Sequence, residues 1–334
     1  MAASWRDGQV IDVNDAMMTL VGHCVVPSLF ALHLPPRTTQ AIVDDCTIVS
    51  GGILRRLILP VGLARAPLPA NLRYDKALAR LRATVSTIIS DRRADATDHG
   101  DLLSALLHAL ETGEADGTDE LPALADAEVT DQILTFLLAG IDTSAAHLAW
   151  ALYELRRHPH IQEQLHRRTT SVLGTELPEF TEIPRLTAAG RVVTETLRRH
   201  APTWMYTRTT TRDTELAGTP LKPGTTVLLS PHILHNRPDL YPEPDRFDPD
   251  RWQERQPDRN TYLPFGTGAR KCIGDRFAEN MVTLALALLT TRWQFTALTT
   301  HPARPSGTIV LTPRNLRLRI TARQRPACFQ PPPR

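Results

Sequence analysis

Apolar residues recur at helical intervals through the first half of the chain. Between residues 72 and 91, side chains such as Leu81, Val85 and Ile88 fall on one face of an α-helix. Polar and charged residues fill the positions between them, which is typical of a helix packed on a core. The same spacing predicts further helices over residues 13–31, where Pro27 interrupts the pattern, and over residues 102–111.

The longest periodic segment begins at Asp126 and continues to about Arg157. A helix of this length exceeds the average globular helix more than twofold, so we expect it to cross the whole molecule. Its middle holds Gly140, Asp142 and Thr143, residue types that disfavour a helix built otherwise of Leu and Ala. Such residues in a buried helix indicate a local function.

The second half of the chain mixes helical and strand patterns. In the last strand pattern, Leu316, Leu318 and Ile320 alternate with polar residues, which predicts a strand with one buried face. The fold class predicted from the whole pattern is mainly α with small β-sheets. The helices are predicted over residues 161–172, 187–200 and 277–291, and the strands over 225–230, 308–312 and 316–321.

Composition narrows the function classes. The 334 residues carry a net charge of only +2, so nucleic acid is not an expected partner. The N-terminus lacks the pattern of a signal peptide, and no uninterrupted apolar run has the length of a membrane span, so we expect a cytoplasmic protein. The four cysteines have no paired spacing, which indicates a reducing compartment. Only three of the 38 basic residues are Lys, a bias that suggests a bacterial source.

Residues 265–274 combine a cysteine with several glycines in the pattern F-x-x-G-x-R-x-C-x-G. Gly266, Gly268 and Gly274 allow tight turns and a close backbone approach. A helical pattern starts directly after Cys272, so unpaired N–H groups and the helix dipole favour a thiolate there. The alternative is a glycine-rich turn around an ordinary buried cysteine.

This pattern resembles the haem-binding loop of the cytochrome P450 family, and every specified position is filled. The resemblance implies the cytochrome P450 fold, haem b as cofactor, and Cys272 as the axial ligand of the haem iron. It further implies that Phe265 shields the sulfur, that Gly266 lets the backbone approach the ring, and that Arg270 pairs with a propionate. Arg208 corresponds to another propionate-binding arginine, with an ordinary surface arginine as the alternative.

Residues 139–143 resemble the oxygen-activation motif of the same family, (A/G)-G-x-(D/E)-T. The resemblance implies that Thr143 hydrogen-bonds to dioxygen, that Asp142 relays protons, and that Gly140 permits a local widening of the helix. An acid beside an alcohol suits a reaction that must protonate an oxygen. The alternative is that Thr143 bonds to a helix carbonyl and Asp142 pairs with an arginine.

Glu195 and Arg198 lie three residues apart, on one face of the helix predicted over residues 187–200. Residues 244–252 resemble the family pattern P-x-R-F-x-P-x-R-W. The resemblance implies that Arg246 joins Glu195 and Arg198 in a buried charge triad with a structural role. His235, a lone histidine in the connecting loop, is expected to be solvated.

The resemblance covers residues 5–321 and implies a haem-thiolate monooxygenase. Such an enzyme inserts one atom of O2 into a lipophilic small molecule and takes electrons from a ferredoxin and its reductase. A basic patch beside the cysteine loop, made of Arg270, Lys271 and Arg276, is a candidate docking site for the ferredoxin, with an ordinary solvated basic patch as the alternative. Residues 202–252 look most like bacterial terpenoid hydroxylases, so a terpenoid is the expected substrate, facing residues 203–206.

The front of the chain departs from the family pattern. We expect residues 1–324 to form a single cytochrome P450 domain that lacks the N-terminal portion of the family, followed by a disordered tail over residues 325–334. The alternative function is a non-catalytic remnant that cannot retain haem.

Overall fold

The protein is described by a computed structural model that covers residues 5–31, 34–95, 97–112, 126–173, 179–254, 257–299, 301–306 and 309–323. Within these ranges, the contacts between Cα atoms define two compact units. The first unit contains residues 14–145, and the second joins residues 5–13 to residues 146–323. The expectation of one domain over residues 1–324 stays a prediction, and the predicted tail over 325–334 lies outside the described residues.

The first unit is helical, as the apolar periodicity predicts. Leu81, Val85 and Ile88 are buried, so the stripe that predicted a helix over residues 72–91 faces the core of this unit. That helix extends beyond both predicted ends. The helices of the unit are α1 (Val13–Phe30), α2 (Pro36–Ile58), α3 (Val61–Arg65), α4 (Pro69–Asp95), α5 (Leu102–Thr112) and the first part of α6 (Asp126–Arg157).

Pro27 does not interrupt α1, contrary to the sequence-based expectation. The helix continues to Phe30 with Pro27 inside its last turn. A proline this close to the C-terminal end removes a single backbone hydrogen bond, and burial of Val26 and Phe30 compensates for that loss. The chain leaves the helix at Ala31, which has a φ of +43°.

The second unit contains the last part of α6 and four further helices. They are α7 (Pro159–Leu173), α8 (Thr187–Arg199), α9 (Pro231–His235) and α10 (Asp275–Arg292), with 3-10 turns at Phe180–Arg185, Pro249–Trp252 and Gly268–Arg270. The prediction of helices over residues 161–172, 187–200 and 277–291 is therefore confirmed. α10 packs against both α7 and α8, and it begins directly after the cysteine loop.

Short antiparallel strands complete the second unit. They are β1 (Val10–Asp12), β2 (Tyr206–Thr209), β3 (Thr214–Leu216), β4 (Thr219–Leu221), β5 (Thr226–Leu229), β6 (Trp293–Ala297) and β7 (Arg317–Ala322). β7 is the centre of a three-stranded sheet of order β1-β7-β6, while β2 pairs with β5 and β3 with β4. Leu318 and Ile320 of β7 are buried and alternate with exposed arginines, as the sequence pattern predicts.

Two sequence-based expectations differ from the structure. The strand expected over residues 308–312 is reduced to an isolated bridge between Thr203 and Val310, and Thr308 itself lies outside the described residues. Although no membrane-spanning run was expected, Val13–Phe30 and Ala127–Arg157 are long and apolar enough to cross a membrane. Because buried core helices of soluble proteins satisfy the same test, these two helices do not indicate a membrane protein.

Candidate active site

The cysteine loop owes its shape to glycines and to one bond across it. Gly266 and Gly268 have φ values of +71° and +72°, in the left-handed region that other residues avoid. The amide of Cys272 donates a hydrogen bond to the carbonyl of Phe265, at 2.9 Å, and this bond closes the loop. The arrangement holds Cys272 at the surface of the second unit, with its side chain exposed.

The sulfur of Cys272 lies beside the N-terminus of α10. A Cβ atom added to Gly274, the N-cap residue, would be 4.0 Å from the Cys272 Sγ atom. The N-cap residue Gly274 has no side chain to cap this helix end, but the Arg276 amide donates to the Asp275 carboxylate at 2.7 Å. The remaining free N–H groups of the first turn and the positive end of the dipole face the side of the helix on which the sulfur lies. The helix begins at Asp275, within three residues of the cysteine, as the sequence predicts.

Tyr206 supports the backbone that precedes the cysteine loop, a role that the sequence does not indicate. Its hydroxyl donates to the carbonyl oxygens of Pro264, at 2.7 Å, and Leu263, at 3.1 Å. Burial and the negative charge of Cys272 raise the pKa of Tyr206 to about 12, so the hydroxyl keeps its proton at neutral pH. The resemblance implies that residues 203–206 face the substrate, whereas the hydroxyl of Tyr206 contacts the backbone that precedes the cysteine loop.

His235 is fully buried, so the expectation of a solvated histidine is wrong. Its Nε2 atom accepts a hydrogen bond from the amide of Leu263, at 2.8 Å, and its ring stacks on Tyr262. Burial and the nearby Arg198 lower the pKa of His235 to about 4, which keeps the ring neutral. The sequence gives no sign of this contact, because Leu263 is 28 residues away.

Glu195 and Arg198 form a fully buried ion pair. Arg198 donates from Nε and Nη2 to the two carboxylate oxygens of Glu195, at 2.9 and 2.8 Å. The same guanidinium donates to the carbonyls of His235 and Pro244. The pair therefore links α8 to the segment that leads toward the cysteine loop.

The third member of this cluster is Arg251, which corrects the expectation for Arg246. The guanidinium of Arg246 is 62% exposed and pairs with Glu243, and only its backbone carbonyl contacts Arg198. The Nε atom of Arg251 lies 3.6 Å from a Glu195 oxygen, and its side chain is only 11% exposed. The pattern P-x-R-F-x-P-x-R-W contains both arginines, and the 3-10 turn at Pro249–Trp252 is what directs the second one inward.

Arg208 and Arg270 are both exposed in the same unit. Arg208 donates to the adjacent carbonyl of Thr207, at 2.8 Å, which leaves further N–H groups on its guanidinium to bind an anion. Among the described residues, no group of three or more His, Cys, Asp or Glu side chains can hold a bare metal ion. A single exposed cysteine suits a metal that brings its own equatorial ligands, so this set of donors fits haem.

The acid–alcohol pair lies on α6, within the first unit. The Thr143 hydroxyl donates to the Ala139 carbonyl, at 2.6 Å, which is the helix bond foreseen in the alternative interpretation. Burial raises the pKa of Asp142 to about 6, against the opposing effect of the Ser50 hydroxyl. Its polar neighbour is thus a serine and not an arginine. The helix remains a regular α-helix through Gly140.

The stability of the second unit is expected to fall as the pH falls from 6.5 toward 4, because His147 and His235 are buried without charge. The pKa of each is lowered to about 4 from 6.5, chiefly by burial. In this interval the unfolded chain binds protons that the folded chain does not. The unfolding free energy therefore drops by about 1.4 kcal/mol per pH unit for each histidine.

Urea denaturation at pH 7 and pH 5 measures this dependence, and the variant His147→Gln isolates one histidine. The glutamine keeps a donor for the Val193 carbonyl, which lies 3.0 Å from His147 Nε2, but it does not titrate. Protonation of Asp142 changes the unfolding free energy in the opposite direction between pH 3.8 and about 6. This contribution is the same in the variant and in the parent protein, so it cancels when the two are compared. If the unfolding free energy of His147→Gln depended on pH as strongly as that of the parent protein, the lowered pKa of His147 would be contradicted.

Comparison with known proteins identifies the relatives of this chain. The family model described as Cytochrome P450 matches residues 10–320. Cyclooctatin synthase of Streptomyces melanosporofaciens is 42% identical over 322 residues, which are 95% of this chain and 69% of that protein. Pentalenene oxygenase of Streptomyces avermitilis is 39% identical over 329 residues, 96% of this chain and 71% of that protein. The crystal structure of the cytochrome P450DA heme domain superimposes with a TM-score of 0.82 at 27% identity, covering 96% of this chain and 70% of that one.

Proposed function

Since the chain belongs to the cytochrome P450 family, we propose that it is a haem-thiolate monooxygenase that hydroxylates a lipophilic terpenoid. The observation that carries this proposal is the cysteine loop, which presents an exposed sulfur at the N-terminus of α10. The names of its relatives cyclooctatin synthase and pentalenene oxygenase support the substrate class. In the proposed reaction one oxygen atom of O2 enters a C–H bond, and the other leaves as water with two electrons and two protons.

We assign the haem b site to residues of the second unit. Cys272 would supply the sulfur that binds the iron, and the left-handed backbone at Gly266 would let the loop approach the ring closely. Phe265 covers the sulfur, and Arg208 and Arg270 pair with the propionates. Haem, when bound, supplies the iron at which dioxygen is reduced and the substrate is oxidised.

Asp142 and Thr143 deliver the protons in this proposal. A carboxyl group whose pKa is about 6 is partly protonated near neutral pH, so Asp142 is able both to donate and to regain a proton. The Thr143 hydroxyl donates to Ala139, yet its oxygen still accepts hydrogen bonds. Thr143 would therefore be able to accept a proton from one neighbour and pass its own proton to another.

The electrons come from a ferredoxin and its reductase, and the enzyme works in the cytoplasm. Arg270 and Arg276 are exposed on either side of Cys272, a placement that suits an acidic protein surface. Lys271 contributes less to this patch, because its ammonium group pairs with Asp275 at 2.5 Å.

Turnover under ¹⁸O2 tests the function. The purified chain, supplied with a ferredoxin, its reductase and a panel of cyclic terpene hydrocarbons and alcohols, is expected to give a product heavier by one ¹⁸O atom. Incorporation of oxygen from water instead would exclude a monooxygenase. Failure of the purified chain to retain haem would favour the non-catalytic alternative.

The variant Thr143→Ala is expected to bind haem normally but to form product about 10²-fold more slowly, with electrons diverted to hydrogen peroxide. The reason is the loss of the hydroxyl proposed to hand on the proton. The matched control is Thr135→Ala on the same helix, where the hydroxyl makes the same bond to a carbonyl, that of Asp131, at 2.8 Å. Equal ratios of product to electrons in the two variants would contradict the role of Thr143.

A further inference from the structure

Two side chains hold the backbone of Leu263 from opposite sides, just before the cysteine loop. His235 accepts from the Leu263 amide at 2.8 Å, and Tyr206 donates to the Leu263 carbonyl at 3.1 Å. The Tyr206 hydroxyl also reaches the carbonyl of Pro264, at 2.7 Å. We call these two residues and the backbone that they hold the Leu263 clamp.

Tyr206 fixes one side of the clamp to the two-stranded sheet formed by β2 and β5. It is the first residue of β2 and stands opposite Leu229 in the antiparallel register. Its ring packs over Gly266, where an added Cβ atom would be 3.8 Å from the phenol Cζ atom. The Leu263 carbonyl also accepts from the Gly266 amide, at 3.2 Å, so the hydroxyl stabilises a turn that is already tight.

His235 fixes the other side of the clamp to the buried ion pair. Its carbonyl accepts from Arg198 at 2.9 Å, and its ring is stacked on Tyr262 with centroids 5.3 Å apart. A neutral ring is required for Nε2 to accept a hydrogen bond, and the lowered pKa of His235 ensures one at neutral pH. At neutral pH the Tyr206 hydroxyl is therefore protonated and the His235 ring is neutral, as their hydrogen bonds to Leu263 require.

The clamp continues directly into the cysteine. Phe265 follows Pro264, and its carbonyl accepts the amide proton of Cys272. The two side chains are therefore connected to Cys272 through Leu263, Pro264 and Phe265.

We propose that Tyr206 and His235 are positioning residues that hold the loop so that Cys272 stays bound to the haem iron as a thiolate. This inference rests on the proposed function, because it concerns Cys272 as a haem ligand. Without the Tyr206 hydroxyl the loop opens more often, and the sulfur leaves the iron more readily. The same hydroxyl contributes little to the fold as a whole.

The variant Tyr206→Phe tests the proposal, because it removes one oxygen and keeps the ring over Gly266. Hydrogen exchange of a peptide spanning residues 265–272 is expected to be roughly fivefold faster, as the loss of one hydrogen bond predicts. In the haem-loaded, reduced and carbon-monoxide-treated protein, a smaller fraction is expected to show the red-shifted band of sulfur-ligated haem. The melting temperature is expected to match that of the control.

The matched control is Tyr241→Phe, whose hydroxyl also donates to a backbone carbonyl, that of Thr261 at 2.9 Å, outside the cysteine loop. A second variant, His235→Gln, keeps an acceptor near Leu263 and is expected to show the same two changes as Tyr206→Phe in weaker form. Equal exchange in Tyr206→Phe, Tyr241→Phe and the parent protein would overturn the clamp. A parent protein without any thiolate band would overturn the proposed function, and the exchange measurement would still decide on the clamp.

Discussion

Replacing Cys272 by alanine is expected to abolish the red-shifted absorption band of the reduced, carbon-monoxide-treated protein completely. The band depends on a thiolate bound to the haem iron, and Cys272 is the residue assigned to provide it. Because its side chain is exposed, the substitution removes little packing and the fold is expected to persist. Absorption spectroscopy on the purified variant, with circular dichroism to verify the fold, makes the measurement.

The control for this experiment is Cys24→Ala. Cys24 is an exposed cysteine on α1, in the first unit, and its loss is expected to leave the band unchanged. The structure describes one further free cysteine, Cys46, which is buried and whose pKa is raised to about 12 by burial and the charges of Asp45 and Asp142. A band that survived in Cys272→Ala would show that another group ligates the iron.

The variant Glu195→Ala is expected to lower the unfolding free energy by about 3–5 kcal/mol, because it leaves the guanidinium of Arg198 buried without a counter-charge. Glu195 also accepts from the Asp248 amide at 3.0 Å and from Trp252 Nε1 at 2.9 Å, so the 3-10 turn at Pro249–Trp252 loses its anchor on α8. Urea denaturation monitored by tryptophan fluorescence and by far-ultraviolet circular dichroism measures the loss.

A second pair with the same spacing provides a matched control. Glu182 and Arg185 also lie three residues apart and pair at 3.2 Å, but the arginine is 63% exposed. The variant Glu182→Ala is expected to cost no more than about 1 kcal/mol, because water solvates the remaining charge. Similar losses in the two variants would show that burial does not determine the importance of the Glu195–Arg198 pair.

These two pairs show what a spacing is able to predict. Glu and Arg three apart predict an ion pair on a helix face, and both pairs form. Whether such a pair is buried depends on which residues pack over it, and those residues come from segments that are distant in sequence. The contact between Glu195 and Trp252, for example, spans 57 positions.

Arg246 and Arg251 illustrate the same limit within one motif. Each follows an acidic residue in the pattern P-D-R-F-D-P-D-R-W, and local sequence does not distinguish them. Phe247 and Trp252 are both buried, so the chain turns between them and directs Arg251 toward Glu195, while the side chain of Arg246 points to solvent. The packing of the two aromatic residues therefore determines which arginine is buried.

The sequence by itself determined the helices, the family and the position of the cysteine loop. Apolar periodicity acts over a few residues, so it predicted α4, α6 and α10, and the pattern around Cys272 is contiguous. Only the tertiary structure placed His235 in the core, made Tyr206 a support of the cysteine loop and selected Arg251 for the buried cluster. Each of these roles requires partners that are remote in the chain, and their contacts arise when side chains from separate segments exclude water together.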